Sequence, residues 1–174
     1  SNQYVMTMKR IRTSIGNVFS VKLSENKKKY FQLIAFDLTQ LNSDVIRAFK
    51  KVYGINEQPP LSEIVNGEVE FYAHCVTLFG AKLQLWEKVG SIPDVGDIKH
   101  IIFRGIQFGR KEGDPFPEVS NKWYVWHIGD DDFKYVGKLR GKNRESEIGM
   151  VMTLYDIVDR IKTGKYNFYY PGFE

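Results

Sequence analysis

From residue 18 to residue 136 the apolar residues of this chain fall in short runs, broken at close intervals by Gly, Pro, Asn and Asp. That spacing predicts strands rather than helices. Val18–Leu23 is the first, entered through Gly16-Asn17. Ser24-Glu25-Asn26-Lys27 turns the chain, and Tyr30–Asp37 reads as the second arm of a hairpin. Glu68–Leu78 is a further strand. It places Tyr72, His74, Val76 and Leu78 on one face and Phe71, Ala73, Cys75 and Thr77 on the other. After a turn at Gly80, Gln84–Val89 is expected to pair back on it. His100–Arg104 is another strand. Trp123–Ile128 and Phe133–Leu139 form a hairpin around Gly129-Asp130-Asp131-Asp132, and Ile148–Met152 is a last short strand.

Three segments depart from that pattern. Asn42–Tyr53 fits a helical stripe through Val45, Ile46, Phe49 and Val52, and fits strand alternation equally well; its β-branched and aromatic residues favour a strand. Leu61–Val65, after Pro59-Pro60, reads as one helical turn. Thr153–Gly164 is the best-punctuated helix. Thr153 and Asp156 make a variant capping box, and Leu154, Ile157, Val158 and Ile161 form the apolar stripe. Asp156 and Arg160 can pair at i,i+4, and Gly164 stands where a left-handed cap belongs. The aromatic tail, Tyr166 to Phe173, is expected to pack back on the body. Gly109 to Ser120, with two Gly and two Pro, is expected to be a mobile loop.

These elements predict an α+β fold: a mainly antiparallel, strongly bent sheet or partly open barrel with one C-terminal helix packed on it. With 174 residues and no internal linker, the chain is expected to be a single domain. Residues 1–12 are expected to be flexible, or in part derived from an expression vector. The 43% hydrophobic fraction suits a globular core that needs no disulfide. The one cysteine, Cys75, fits a reducing compartment. There is no apolar run long enough for a membrane span and no signal-peptide pattern, so the expected location is cytoplasmic.

The net charge of +4 is modest, and the basic clusters at Lys27-Lys28-Lys29, Lys50-Lys51 and Arg140 to Arg144 are short and sit beside turns. They read as solvated loop lysines. Their nearness to aromatic strands keeps a single-stranded nucleic-acid-binding domain as an alternative.

Catalytic residue types are few. His74, His100 and His127 are far apart in sequence, and the chain has no Cys-x-x-Cys, nucleotide loop or nucleophile elbow. His74 and Cys75 are neighbours on a strand and point to opposite faces, so they cannot act as base and nucleophile together. No cofactor, no metal and no catalytic residue is assigned. An enzyme with a site near His74 and His127 is a further alternative. Asp130-Asp131-Asp132 lacks the ligand spacing of a calcium loop and reads as a solvated hairpin tip. Trp123 and Trp126 lie on opposite faces of one strand, so one of them faces solvent unless something covers it. Trp123, Trp126, Asp131 and Asp132 are therefore the candidate partner-binding residues.

Two segments resemble the immunity protein 26 family of bacterial polymorphic toxin systems. They are Gly16-Asn17-Val18-Phe19-Ser20-Val21-Lys22-Leu23 and Leu85-Trp86-Glu87-Lys88-Val89-Gly90-Ser91-Ile92-Pro93. The resemblance spans roughly residues 10–105. It implies a cytoplasmic, β-rich, non-enzymatic protein that blocks a cognate toxin by occlusion, and it carries over no catalytic residues. The chain is basic, which weighs against a nuclease target with a basic groove. The function expected from the sequence is thus a protein-binding module, its interface of ordinary size, about 800 Å² per partner.

Overall fold

The computed structural model describes residues 10–106, 115 and 117–174, and its strands form two sheets. The larger contains β1 (Asn17–Lys22), β2 (Lys27–Asp37), β3 (Ser43–Phe49), β4 (Tyr53–Gly54), β5 (Val69–Cys75) and β6 (Glu87–Ser91), in the order β5-β3-β2-β1-β6, with β4 also on β2. The smaller contains β7 (Ile102–Ile106), β8 (Trp123–His127), β9 (Lys134–Gly137) and β10 (Glu147–Ile148), in the order β10-β7-β8-β9. All pairings are antiparallel except β10 with β7. Helices α1 (Leu61–Val65), α2 (Thr77–Lys82) and α3 (Leu154–Thr163), with a 3₁₀ turn at Gly141–Glu145, complete an α+β fold whose sheets are open.

The large sheet is covered on both faces. Phe31, Ala48 and Phe71 stand side by side across β2, β3 and β5, as do Leu33, Ile46 and Ala73. This face packs on Trp86, on Ala81 of α2, on Ile157 and Ile161 of α3, and on Tyr166 and Phe168 of the tail. On the opposite face Ile34, Ala35 and Val45 meet Ile101, Phe103 and Trp126 of the small sheet. Further along, Tyr30, Phe49 and Tyr53 meet Ile64 and Val65 of α1. Every residue of β3 is buried, which explains why residues 42–53 show no clean polar alternation.

The first hairpin, the 123–139 hairpin, the Leu61–Val65 turn and the terminal helix stand where the sequence places them. In α3 the Thr153 hydroxyl accepts the Asp156 N–H at 3.1 Å, and Gly164 closes the helix at φ 80°. Arg160 does not pair with Asp156; it lies over the rings of Phe71 and Tyr166.

Two expectations are corrected. The strand expected over 68–78 stops at Cys75, because the buried Asp44 carboxylate takes the Thr77 N–H at 3.0 Å together with its hydroxyl and starts α2. The following strand then crosses to pair with β1 rather than back on β5. The free edge of β5 is stitched instead to the segment after β10, where Met152 N–H donates to the His74 carbonyl. The loop expected over 109–120 and the N-terminal stretch expected to be flexible lie largely outside the described residues; residues 10–14 have no regular structure.

Gly80 is required by this crossing. A Cβ there falls 1.8 Å from Cζ2 of Trp86, whose ring is held edge-on by Phe31 and whose Nε1 donates to the Thr77 carbonyl. Gly80→Ala is expected to cost about 2 kcal/mol through overpacking, although alanine is the better helix former. Thermal unfolding should show a fall of roughly 4–8 °C.

Candidate functional site

The structure divides the four residues picked from the sequence. Trp123 is 0% and Trp126 is 3% exposed, so neither is an exposed contact. Trp123 is covered by the tail: Tyr170 and Phe173 lie 6.0 and 6.3 Å from it, ring to ring. The Arg104 guanidinium is stacked beside the same three rings. Trp126 points the other way, into the seam between the sheets, against Phe103 and Phe133. The alternation argument placed the two rings on opposite faces correctly; both faces are covered.

Asp131 and Asp132 are exposed, and they sit on a built feature. The turn after β8 is locked to the turn after β2, although the two belong to different sheets. Thr39 Oγ1 and Gln40 Nε2 donate to the Asp130 carbonyl at 2.6 and 2.8 Å. Gly129 N–H donates to Asp37 Oδ1 at 3.3 Å, and His127 N–H to Asp130 Oδ2 at 2.8 Å. Gly129 sits at φ 84°, a conformation that glycine adopts without strain. The double turn presents Leu38, 72% exposed, and Phe133, 46% exposed, beside Asp131 and Asp132. Leu38 and Phe133 were not singled out from the sequence. The available signal was a leucine directly after Asp37 in an otherwise polar turn, Thr39-Gln40.

The double turn is anchored in the interior. Asp37 and His74 are both fully buried, and His74 Nε2 lies 2.9 Å from Asp37 Oδ2. A carboxylate only accepts, so the proton is on Nε2 and Nδ1 carries a lone pair, which has no partner. Burial pushes the His74 pKa below its ordinary value, and Asp37 opposes that shift only in part. The imidazole is tilted against Phe103 at 4.2 Å between ring centroids. The pair has the composition of a catalytic dyad but no access to a substrate, whereas His127 and His100 are exposed, 3.5 Å from Asp130 and 3.8 Å from Asp97. Cys75 is likewise buried, with its thiol pushed up by burial and then by Asp44, so a thiolate nucleophile does not form.

The dyad has a pH consequence. A histidine with a depressed folded-state pKa binds fewer protons folded than unfolded, so its contribution is complete above about pH 6.5 and is lost as pH falls below that value. Unfolding free energy should therefore decline on acidification from about pH 6.5, with a slope of at most about 1.4 kcal/mol per pH unit. His74→Gln should remove that slope. Denaturant unfolding at closely spaced pH values tests this.

A cleft of about 250 Å³ lies along the seam, lined by Tyr72, His100, Ile101, Lys142, Glu145 and Glu147 among others. Burial raises the Glu147 carboxyl above its ordinary range, against the pull of Arg160 and a hydrogen bond with the Tyr72 backbone. The charges along the cleft are of mixed sign, Lys142 with Glu145 and Glu147. Among the described residues no three His, Cys, Asp or Glu side chains converge on a point that a metal ion could occupy, and no helix is long and apolar enough to cross a membrane.

The basic clusters at residues 27–29 and 50–51 are largely engaged. Lys28 Nζ donates to the Ile55 carbonyl at 3.0 Å and to that of Glu57. Lys29 pairs with Glu70 at 3.2 Å, Lys50 with Glu68 at 2.8 Å and Lys51 with Glu63 at 3.9 Å. Comparison with protein-family models, curated proteins and solved structures gives no match for this chain.

Proposed function

We propose that this chain is a non-enzymatic protein-binding module whose contact surface is the locked double turn. Leu38 and Phe133 are the apolar anchors, and Asp131 and Asp132 supply the charge. The observation that carries this reading is the set of hydrogen bonds that fastens two turns from two sheets into one rigid projection. A surface fixed before binding loses little conformational freedom on association. Solvent-exposed apolar side chains beside carboxylates that make no ion pair among the described residues suit a partner patch of basic and apolar character. The finer reading is that of a toxin inhibitor acting by occlusion, in line with the immunity-protein resemblance. It needs no reactive group, and His74 and Cys75 are sealed in the interior. Lys28, Lys29, Lys50 and Lys51 are engaged within the chain, which takes those two clusters from the nucleic-acid alternative.

Affinity capture from the native cell tests the proposal. The wild-type chain is expected to retain a protein partner, and Leu38→Ala combined with Asp131→Lys and Asp132→Lys is expected to lower its affinity at least about thirtyfold, since two or three contacts of about 1–2 kcal/mol are removed. All three positions are exposed, so the variant should unfold at the wild-type temperature. Undiminished capture by a folded variant contradicts the proposal.

A further inference from the structure

The end of the large sheet away from the double turn carries a second surface, of opposite charge. A groove of about 850 Å³ runs between the start of β6, the end of β1 and the chain after α2. Ile11, Leu85 and Trp86 supply its apolar lining, and Lys22, Lys88 and Glu87 its charged lining. Arg10, Arg12 and Lys82 flank lining residues in sequence and are exposed. None of these five cations makes an ion pair among the described residues, in contrast to the lysines at 29, 50 and 51. Five cations against one carboxylate, over an apolar floor, fit an occupant that is acidic and apolar.

The floor decides the class of occupant. Trp86 is 3% exposed, with one side closed by Phe31 and another by Gly80. It exposes almost no surface to the groove, so a nucleobase has no ring face to stack on there. A short loop carrying aliphatic and aromatic side chains beside carboxylates does fit. The double turn is such a loop, with Leu38 and Phe133 exposed next to Asp131 and Asp132, which make no ion pair among the described residues.

We propose that the groove docks the acidic double turn of a second copy of this chain, head to tail. This rests on the reading of the double turn as a contact surface, and it names a second occupant for the protein, at a second site. The sheet register fixes the geometry. Asp37, at the end of β2, anchors the double turn, whereas Lys22 pairs opposite Lys28 at its beginning. Strand rise over those residues separates the two surfaces by about 30 Å. A chain cannot fill its own groove, and the contact is heterologous: each copy offers a turn to one neighbour and a groove to another. Because much of the attraction is between exposed charges, the association is expected to be weak and to fall steeply with added salt.

Sedimentation of the purified full chain tests this. At low salt the weight-average mass should rise above that of the 20.2 kDa monomer as concentration increases, and high salt should abolish the rise. The turn variant Asp131→Lys with Asp132→Lys, and the groove variant Lys22→Glu with Lys88→Glu, should each remain monomeric when alone. An equal mixture of the two should associate again, because the groove variant's native turn meets the turn variant's native groove. A folded wild type that stays monomeric at every concentration overturns the inference, as does association that survives both variants. Binding of a short fluorescent single-stranded oligonucleotide that the groove variant loses, with a monomeric wild type, also overturns it. The protein-binding reading has its own outcome: it fails where turn variants capture the partner as well as the wild type does, whatever the sedimentation result.

Discussion

Trp123→Ala is expected to destabilise the protein by about 4 kcal/mol, within the range for deleting a large, fully buried aromatic side chain. Trp123 has no exposed surface and is enclosed by Tyr170, Phe173 and Arg104. Removing it opens a cavity, exposes the underside of the tail and takes one aromatic wall from the half-buried Arg104, whose pKa burial already lowers. Its Nε1 hydrogen bond to the Ser120 carbonyl, 2.7 Å long, is lost as well. Urea unfolding should show a lower midpoint at nearly unchanged slope. If Trp123 were an interface anchor, the same substitution would leave the midpoint in place and weaken only partner binding, so one titration separates the two roles.

Asp37→Ala should have the second largest effect, about 3 kcal/mol. It leaves the buried Nε2–H of His74 without an acceptor, at a cost of up to about 3 kcal/mol, and takes from the exposed Gly129 N–H a bond that water can replace. The two losses fall in different places. The His74 loss weakens the seam between the sheets, whereas the Gly129 loss releases the double turn from its anchor. Amide exchange should therefore quicken at Gly129 and Asp130 beyond the change expected from global stability alone. Asp37→Asn, which keeps one carbonyl oxygen for one of the two donors, is expected to lie between alanine and wild type. Equal acceleration at every amide would show that Asp37 acts on the fold as a whole and holds no turn.

The elements whose signals are local were legible in the sequence. Thr153, Asp156 and Gly164 mark the ends of α3 by their own side-chain and backbone chemistry. The β1–β2 and β8–β9 hairpins follow from runs of β-formers across short polar turns. What was not legible depends on residues far apart in the chain. Asp44 ends β5 by binding Thr77 from another strand, so the start of α2 has no signal of its own. Glu87–Ser91 carries strand propensity but no mark to distinguish β1 from β5 as its partner.

The candidate site divided along the same line. Asp131 and Asp132 are polar residues at a hairpin tip, and the sequence places them on the surface correctly. Trp123 and Trp126 are amphipathic rings whose exposure depends on whether the tail and the opposing sheet close over them, and both do. Leu38 and Phe133 belong to turns that are joined by the Thr39, Gln40 and Gly129 hydrogen bonds, which span about ninety residues of sequence.

The central claim is that a rigid double turn, and not a reactive group, does the work of this protein. Hydrogen exchange of the chain with and without its captured partner tests that claim most directly. The account predicts slowed exchange confined to residues 38–42 and 128–133, with His74 and Cys75 unchanged in the interior. Protection centred on the cleft of Tyr72, His100 and Glu147, with the double turn exchanging as it does in the free chain, would contradict it.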